Sequence, residues 1–218
     1  MPVMNMLIFL WNINVRISRF LEVSMIYGIA MMGLNGAGKS MLAHALSKHL
    51  GYYEMDVEDY YFPEQKSSRQ YVLDHATCVP TEYLGELPFS SPRSKSEVED
   101  ALRRDIASHP QFVLSGVTMN WSNDILSAIK IAFLVETPLE VRLKRIQERE
   151  IKRFGIRVLP GGNMYGQQCD FCRIVAEKDD SIVYKSAQRL QCPVIILDGT
   201  EPIDVNIQRV MTELSTNG

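Results

Sequence analysis

Four stretches of the chain are apolar at nearly every position rather than at every second one. They are "MIYGIAMM" (residues 25–32), "QFVLSGV" (111–117), "IKIAFLVE" (129–136) and "CPVIILDG" (192–199). Each has the length of a strand. Continuous apolar runs predict strands buried on both faces, the mark of a parallel sheet. A shorter run, "GYYEM" (51–55), predicts a further strand. Between these runs the period changes. Apolar residues recur at Leu42, Ala45, Leu46 and Leu50, which is helical spacing. "SKSE" (94–97) has the form of a capping box and predicts a helix to about His109. "TPLE" (137–140) predicts another start, with Thr137 as cap, Pro138 in the first helical position and Glu140 closing the box. "LPGGN" (159–163) interrupts the pattern; one long helix is expected over 167–190 and a last one over 202–214. Strands alternating with helices predict an α/β three-layer sandwich, a parallel sheet covered on both faces.

A chain of 218 residues is long enough to bury a full core as one domain. Its content, 46% hydrophobic and 22% charged, is that of an ordinary globular protein. The net charge of −3 supplies no general attraction to nucleic acid or to an anionic membrane, so neither is expected as a partner. The four cysteines, Cys78, Cys169, Cys172 and Cys192, are too few and too scattered for a disulfide framework. "CDFC" (169–172) has zinc or redox spacing but no second pair and no neighbouring histidine. Reduced cysteines and a cytoplasmic location are expected. The apolar run at 6–11 is too short to span a bilayer and lacks the flanks of a signal peptide. Residues 1–24 are therefore expected to form an extension outside a single core domain, 25–218.

The first predicted strand runs into "GLNGAGKS" (33–40), a full match to G-x-x-x-x-G-K-[ST] between a strand and a helix. A chance match in this length is on the order of one per cent. Glycine permits dihedrals that let successive N–H groups converge on an anion, and the helix after the loop adds its positive end. The expected nucleotide-binding set is Gly33, Asn35, Gly36, Ala37, Gly38, Lys39, Ser40 and Met41. Lys39 would reach the β- and γ-phosphates and the Ser40 hydroxyl would meet Mg²⁺. ATP and Mg²⁺ are the implied cofactors.

Two further features bear on the fate of a bound nucleotide. "EMDVEDYYFP" places Asp56, Glu58 and Asp59 just after the short second strand, at the sheet edge where such folds bind ligands. One carboxylate would serve an acceptor hydroxyl and another, Asp56, would hold the metal with Ser40. "VRLKRIQEREIKRFGIRV" carries seven basic residues and two acidic ones from Arg142 to Arg157. A solvated helix with internal ion pairs would look similar. Arginines closing over a transferring phosphoryl group have this pattern too, and the glycines beyond would hinge such a lid, about 145–163.

On these residues the chain from about Met25 onward resembles the nucleoside/nucleotide kinase group of P-loop proteins, which includes adenylate, shikimate and uridine kinases. The resemblance implies a five-stranded parallel sheet in the order 2-3-1-4-5 with a basic helical lid. "EDYYFP" is similar to the Asp-Asp-Phe-Tyr-x-Pro element of uridine and nicotinamide riboside kinases, which implies that Asp59 faces the acceptor hydroxyl. "RIQER" resembles the arginine pair leading into the adenylate kinase lid. It implies Arg145 on the adenine and ribose side and Arg149 on phosphate, with Arg153 closing beside it. Ser115 stands where several of these kinases have an aspartate, and no Asp-Gly-x-Pro-Arg stretch is found, which points away from adenylate kinase proper. The expectation is an ATP-dependent kinase acting on a nucleoside, nucleotide or similar small-molecule acceptor. Its rivals are an ATPase or ATP-sensing regulator, for which Asp198 would be the metal-side acid, and a binding module that has lost catalysis.

Overall fold

The computed structural model describes residues 27–75 and 92–217. The expected extension over 1–24, the first two residues of the first strand and Cys78 lie outside the described residues. In chain order the elements are β1 (Tyr27–Met32), α1 (Lys39–Leu50), β2 (Tyr53–Asp56), α2 (Val57–Tyr61), α3 (Lys66–Asp74), α4 (Lys95–Ser108), β3 (Gln111–Gly116), α5 (Asn123–Ala128), β4 (Ile129–Glu136), α6 (Leu139–Phe154), α7 (Tyr165–Glu177), α8 (Ser181–Ala187), β5 (Val194–Asp198) and α9 (Ile203–Asn217). The strands form one parallel sheet in the order β2-β3-β1-β4-β5, as the resemblance implied.

The continuous apolar runs are explained by where alternate side chains go. Ile29 and Met31 pack on one face with Leu42, Ala43 and Leu46 of α1 and Val210 of α9. Ala30 and Met32 pack on the other with Leu102 of α4, Ile125 of α5 and Val183 of α8. A strand whose period-two faces are both covered has no polar side to show. Each such Leu, Ile, Val or Met contributes about 1.5–3 kcal/mol by leaving water.

The expected capping box opening α4 is present: Glu97 N–H donates to Ser94 Oγ, and Ser94 N–H donates to the Glu97 carboxylate at 2.9 Å. The one at "TPLE" is not. Pro138 is itself the cap residue of α6, and the Thr137 hydroxyl donates instead to the Ala37 carbonyl at 3.0 Å. The single helix expected over 167–190 is two. Lys178 is extended (φ −68°, ψ 126°), and the Asp179 carboxylate accepts the Ser181 N–H at 2.8 Å, starting α8. The second strand takes in Asp56, one residue beyond its expected end. The short helices α2, α3 and α5 have no counterpart in the sequence pattern. The first arises because Asp56 doubles as its cap, accepting the Glu58 N–H at 2.9 Å.

Parallel pairing brings the strand ends to one edge. Asp56 lies opposite Ser115, Met32 opposite both Gly116 and Leu134, and Glu136 opposite Asp198. The phosphate-loop motif and the acidic cluster both leave the sheet at that edge.

Candidate active site

The loop from β1 to α1 wraps the start of the helix. Gly36 (φ 82°) and Gly38 (φ 104°) occupy the left-handed region that side chains rarely adopt. Gly36 is also pressed on α6: a Cβ there would lie 2.5 Å from the Arg142 carbonyl oxygen. The Ala37 carbonyl faces α6 as well, accepting from Thr137 and from Arg145, whose guanidinium also donates to the Gly199 carbonyl at 2.9 Å. With its carbonyl held outward, the loop leaves the first-turn N–H groups of α1 without acceptors inside the helix.

Lys39, first residue of α1, is 7% exposed, and its ammonium has no hydrogen-bond or ion-pair partner among the described residues. Burial pushes its pKa down, while Glu58 and Asp56 work to hold the proton. A buried cation without an acceptor calls for an anion from outside.

Lys39 lies where two cavities meet. One, of about 330 Å³, is lined by the loop from Gly36 to Leu42, by Arg145, Arg149 and Lys152 of α6 and by Gly199. The other, of about 380 Å³, is lined by Asp56, Glu58, Tyr61, Lys95, Asn120 and Trp121. Trp121 is 4% exposed and stands in the wall of this second cavity, so it serves the core and the pocket together.

Charge is concentrated between the cavities. Arg69 of α3 donates to Glu58 at 2.8 Å and to Asp59. Burial opposes ionisation of Glu58, but Arg69, then Arg149 and Lys39, outweigh it and bring its pKa to about 2. Asp59 moves the other way, because burial and the charge of Asp56 exceed the pull of Arg69. Asp56 accepts the Ser115 hydroxyl at 3.0 Å, so the serine in place of an acid orients its neighbour across the β2–β3 pair.

Several expected site residues are placed as anticipated and others are not. Gly36, Ala37, Gly38, Lys39, Ser40 and Met41 line the first cavity, with Arg145 and Arg149; Gly33 and Asn35 lie in the same loop. Asp59 lines neither cavity and faces Arg69 instead; Glu58, the second residue of the capped helix α2, lines the second cavity together with Lys39. Arg153 is 2% exposed and tied to Gln65 and Ser68 beside α3, so it is packed between helices rather than open to the cleft. Asp198 lies on edge strand β5, accepts hydrogen bonds from Thr200 and lines neither of these two cavities. Arg69 escapes a reading of the sequence altogether. Its only signal is a lone arginine in "KSSRQ", indistinguishable from surface.

No family model matches the chain. It is 25% identical over 197 residues to the uncharacterized protein YqaC of Bacillus subtilis (strain 168), a match spanning 87% of this chain and 98% of that protein. Among solved structures it is similar to the shikimate kinase of Bacteroides thetaiotaomicron, with a TM-score of 0.50 and 15% identity over 88% of this chain and 99% of that one. The shikimate kinase of Acinetobacter baumannii, solved with shikimate, gives 0.49 and 16% over 92% and 98%. With its sheet order and its phosphate loop, the chain has the P-loop fold of the nucleoside/nucleotide kinase-like group.

Proposed function

We propose that the protein is an ATP- and Mg²⁺-dependent kinase that phosphorylates a small hydroxyl-bearing metabolite in the cytoplasm. The observation that carries this reading is Lys39: a largely buried lysine, without a hydrogen-bond or ion-pair partner among the described residues, at the junction of a phosphate-loop cavity and a second polar cavity. A nucleotide-hydrolysing protein needs the first cavity alone.

Bound ATP with Mg²⁺ supplies the phosphoryl group and neutralises its charge. The chain's own residues do the rest. The N–H groups opening α1 and the Lys39 ammonium receive phosphate oxygens. Arg145 covers the side next to Gly199, and Arg149 reaches phosphate by exchanging its bond to Glu150, now 2.7 Å. Ser40 and Asp56 would hold the metal; Asp56 is oriented by the Ser115 hydroxyl at 3.0 Å. The acceptor-side role passes from Asp59 to Glu58. A carboxylate with a pKa of about 2 is a poor proton store, so Glu58 orients the acceptor hydroxyl by accepting its hydrogen bond. That suffices for phosphoryl transfer, whose loose transition state asks mainly for positioning. The hydroxyl proton departs to solvent once the new P–O bond is forming and ADP is leaving.

The test is a panel of nucleosides, nucleotides, sugars and small hydroxy acids with ATP and Mg²⁺, read by ADP release and by phosphorylated product. Lys39→Ala should abolish product formation while circular dichroism stays unchanged. ADP release that no acceptor accelerates would favour the ATPase instead.

A further inference from the structure

The break between α7 and α8 sends a lysine back to the phosphate loop. Lys178 Nζ lies 3.4 Å from the Asn35 side-chain oxygen. The residues beyond it fix the strap. Asp179 accepts the Ser181 N–H ahead of α8, and Asp180 sits 3.5 Å from Arg142, whose carbonyl backs Gly36. The strap therefore meets the loop directly at Asn35 and indirectly through Arg142.

Its position along the loop is informative. The first cavity is lined from Gly36 to Leu42 and runs toward Gly199 and α9, but does not include Asn35. Asn35 thus marks the loop end away from that side. Lys178 is half-buried; burial lowers its pKa, and so does the charge of Lys39, while Glu58 opposes. It sits within the field of the cation and the carboxylate that flank the junction of the two cavities. A neutral amide oxygen at 3.4 Å is a weak partner for an ammonium.

We propose that Lys178 is a further phosphate-binding cation, which exchanges Asn35 for an oxygen of the terminal phosphate of the bound nucleoside triphosphate. This rests on the kinase reading only in that the site takes a nucleoside triphosphate. Lys178 would add its charge from the strap between α7 and α8, apart from Arg145 and Arg149 on the side of the first cavity. It is a contact available to a triphosphate and absent for a diphosphate.

Calorimetric affinities for ADP and for a non-hydrolysable ATP analogue, both with Mg²⁺, test this in the wild-type chain and in Lys178→Met and Lys178→Arg. Lys178→Met should weaken the analogue about 10-fold or more and ADP less than about 3-fold, with Lys178→Arg recovering most of the difference. A ratio of the two affinities within about 3-fold of wild type in Lys178→Met, whether both fall together or neither moves, overturns the proposal. Loss of the far-ultraviolet circular dichroism signal in Lys178→Met would shift the comparison to Lys178→Gln, judged by the same ratio. If the wild-type chain binds neither nucleotide, the nucleotide-site reading itself fails, and this inference with it.

Discussion

Glu58 and Asp59 are adjacent, both acidic and both bonded to Arg69, yet only Glu58 lines the second cavity. Asp56 caps α2, and successive residues of a helix point about 100° apart, so only one of the pair can face the cavity beside Lys39. Glu58→Gln keeps shape and loses charge. It should cut the rate of transfer by roughly 10²-fold, the scale of losing the orientation of a reacting group. Asp59→Asn should cost less than about 10-fold, because Arg69 still holds Glu58. Steady-state kinetics on an accepted substrate would decide it; the reverse order would return the role to Asp59. Ser115→Ala belongs to the same scale. Removing its bond to Asp56 should raise the Mg²⁺ concentration needed for half-maximal activity several-fold and leave the fold intact.

At the level of elements, α6 is anchored further along than its basic sequence suggested. Arg153, near its end, reaches Gln65 and Ser68 beside α3, and its guanidinium lies over the Phe154 ring at 4.8 Å. The segment that can hinge therefore begins beyond Phe154, where Gly155 (φ 58°) and Gly161 (φ 88°) stand in open space and Ile156 is 81% exposed. In hydrogen exchange, residues 155–163 should be fast in the free protein and slowed by a bisubstrate analogue, while α6 up to Arg153 stays protected in both. Equal exchange at 155–163 in the two states would mean that no lid closes there. The strands are legible in the sequence because double-sided burial leaves an unbroken apolar run. The loop is legible because its chemistry demands glycine, lysine and serine in a set order. Helices α2 and α3 are not, since they are short and polar and owe their existence to a cap and to ion pairs with distant partners. For the same reason "KDDS" (178–181) reads as more helix: nothing local reveals that Lys178 is extended and that a new helix begins at Ser181.

Over the whole molecule, the charge cluster links stability to pH. The Glu58 pKa is depressed from 4.5 to about 2, so the folded state favours its ionised form. That contribution is complete above about pH 4.5 and is lost as pH falls toward 2. Urea midpoints should drop across this window, and Glu58→Gln should flatten the drop; an unchanged slope would mean that exposed carboxylates dominate acid unfolding. The sheet order has a further consequence, for the moment of synthesis. The central strand β1 is made first among the described strands, yet neither of its neighbours is next in the chain: Ile29 pairs with Val113 on one side and Ile131 on the other. At roughly 5–20 residues per second, β1 waits on the order of ten seconds after it is made for its partners to be translated. Through that interval an apolar strand has both edges open, and its non-local pairing makes closure slow. A nascent chain of this protein should be a client for whatever shields hydrophobic segments at the ribosome.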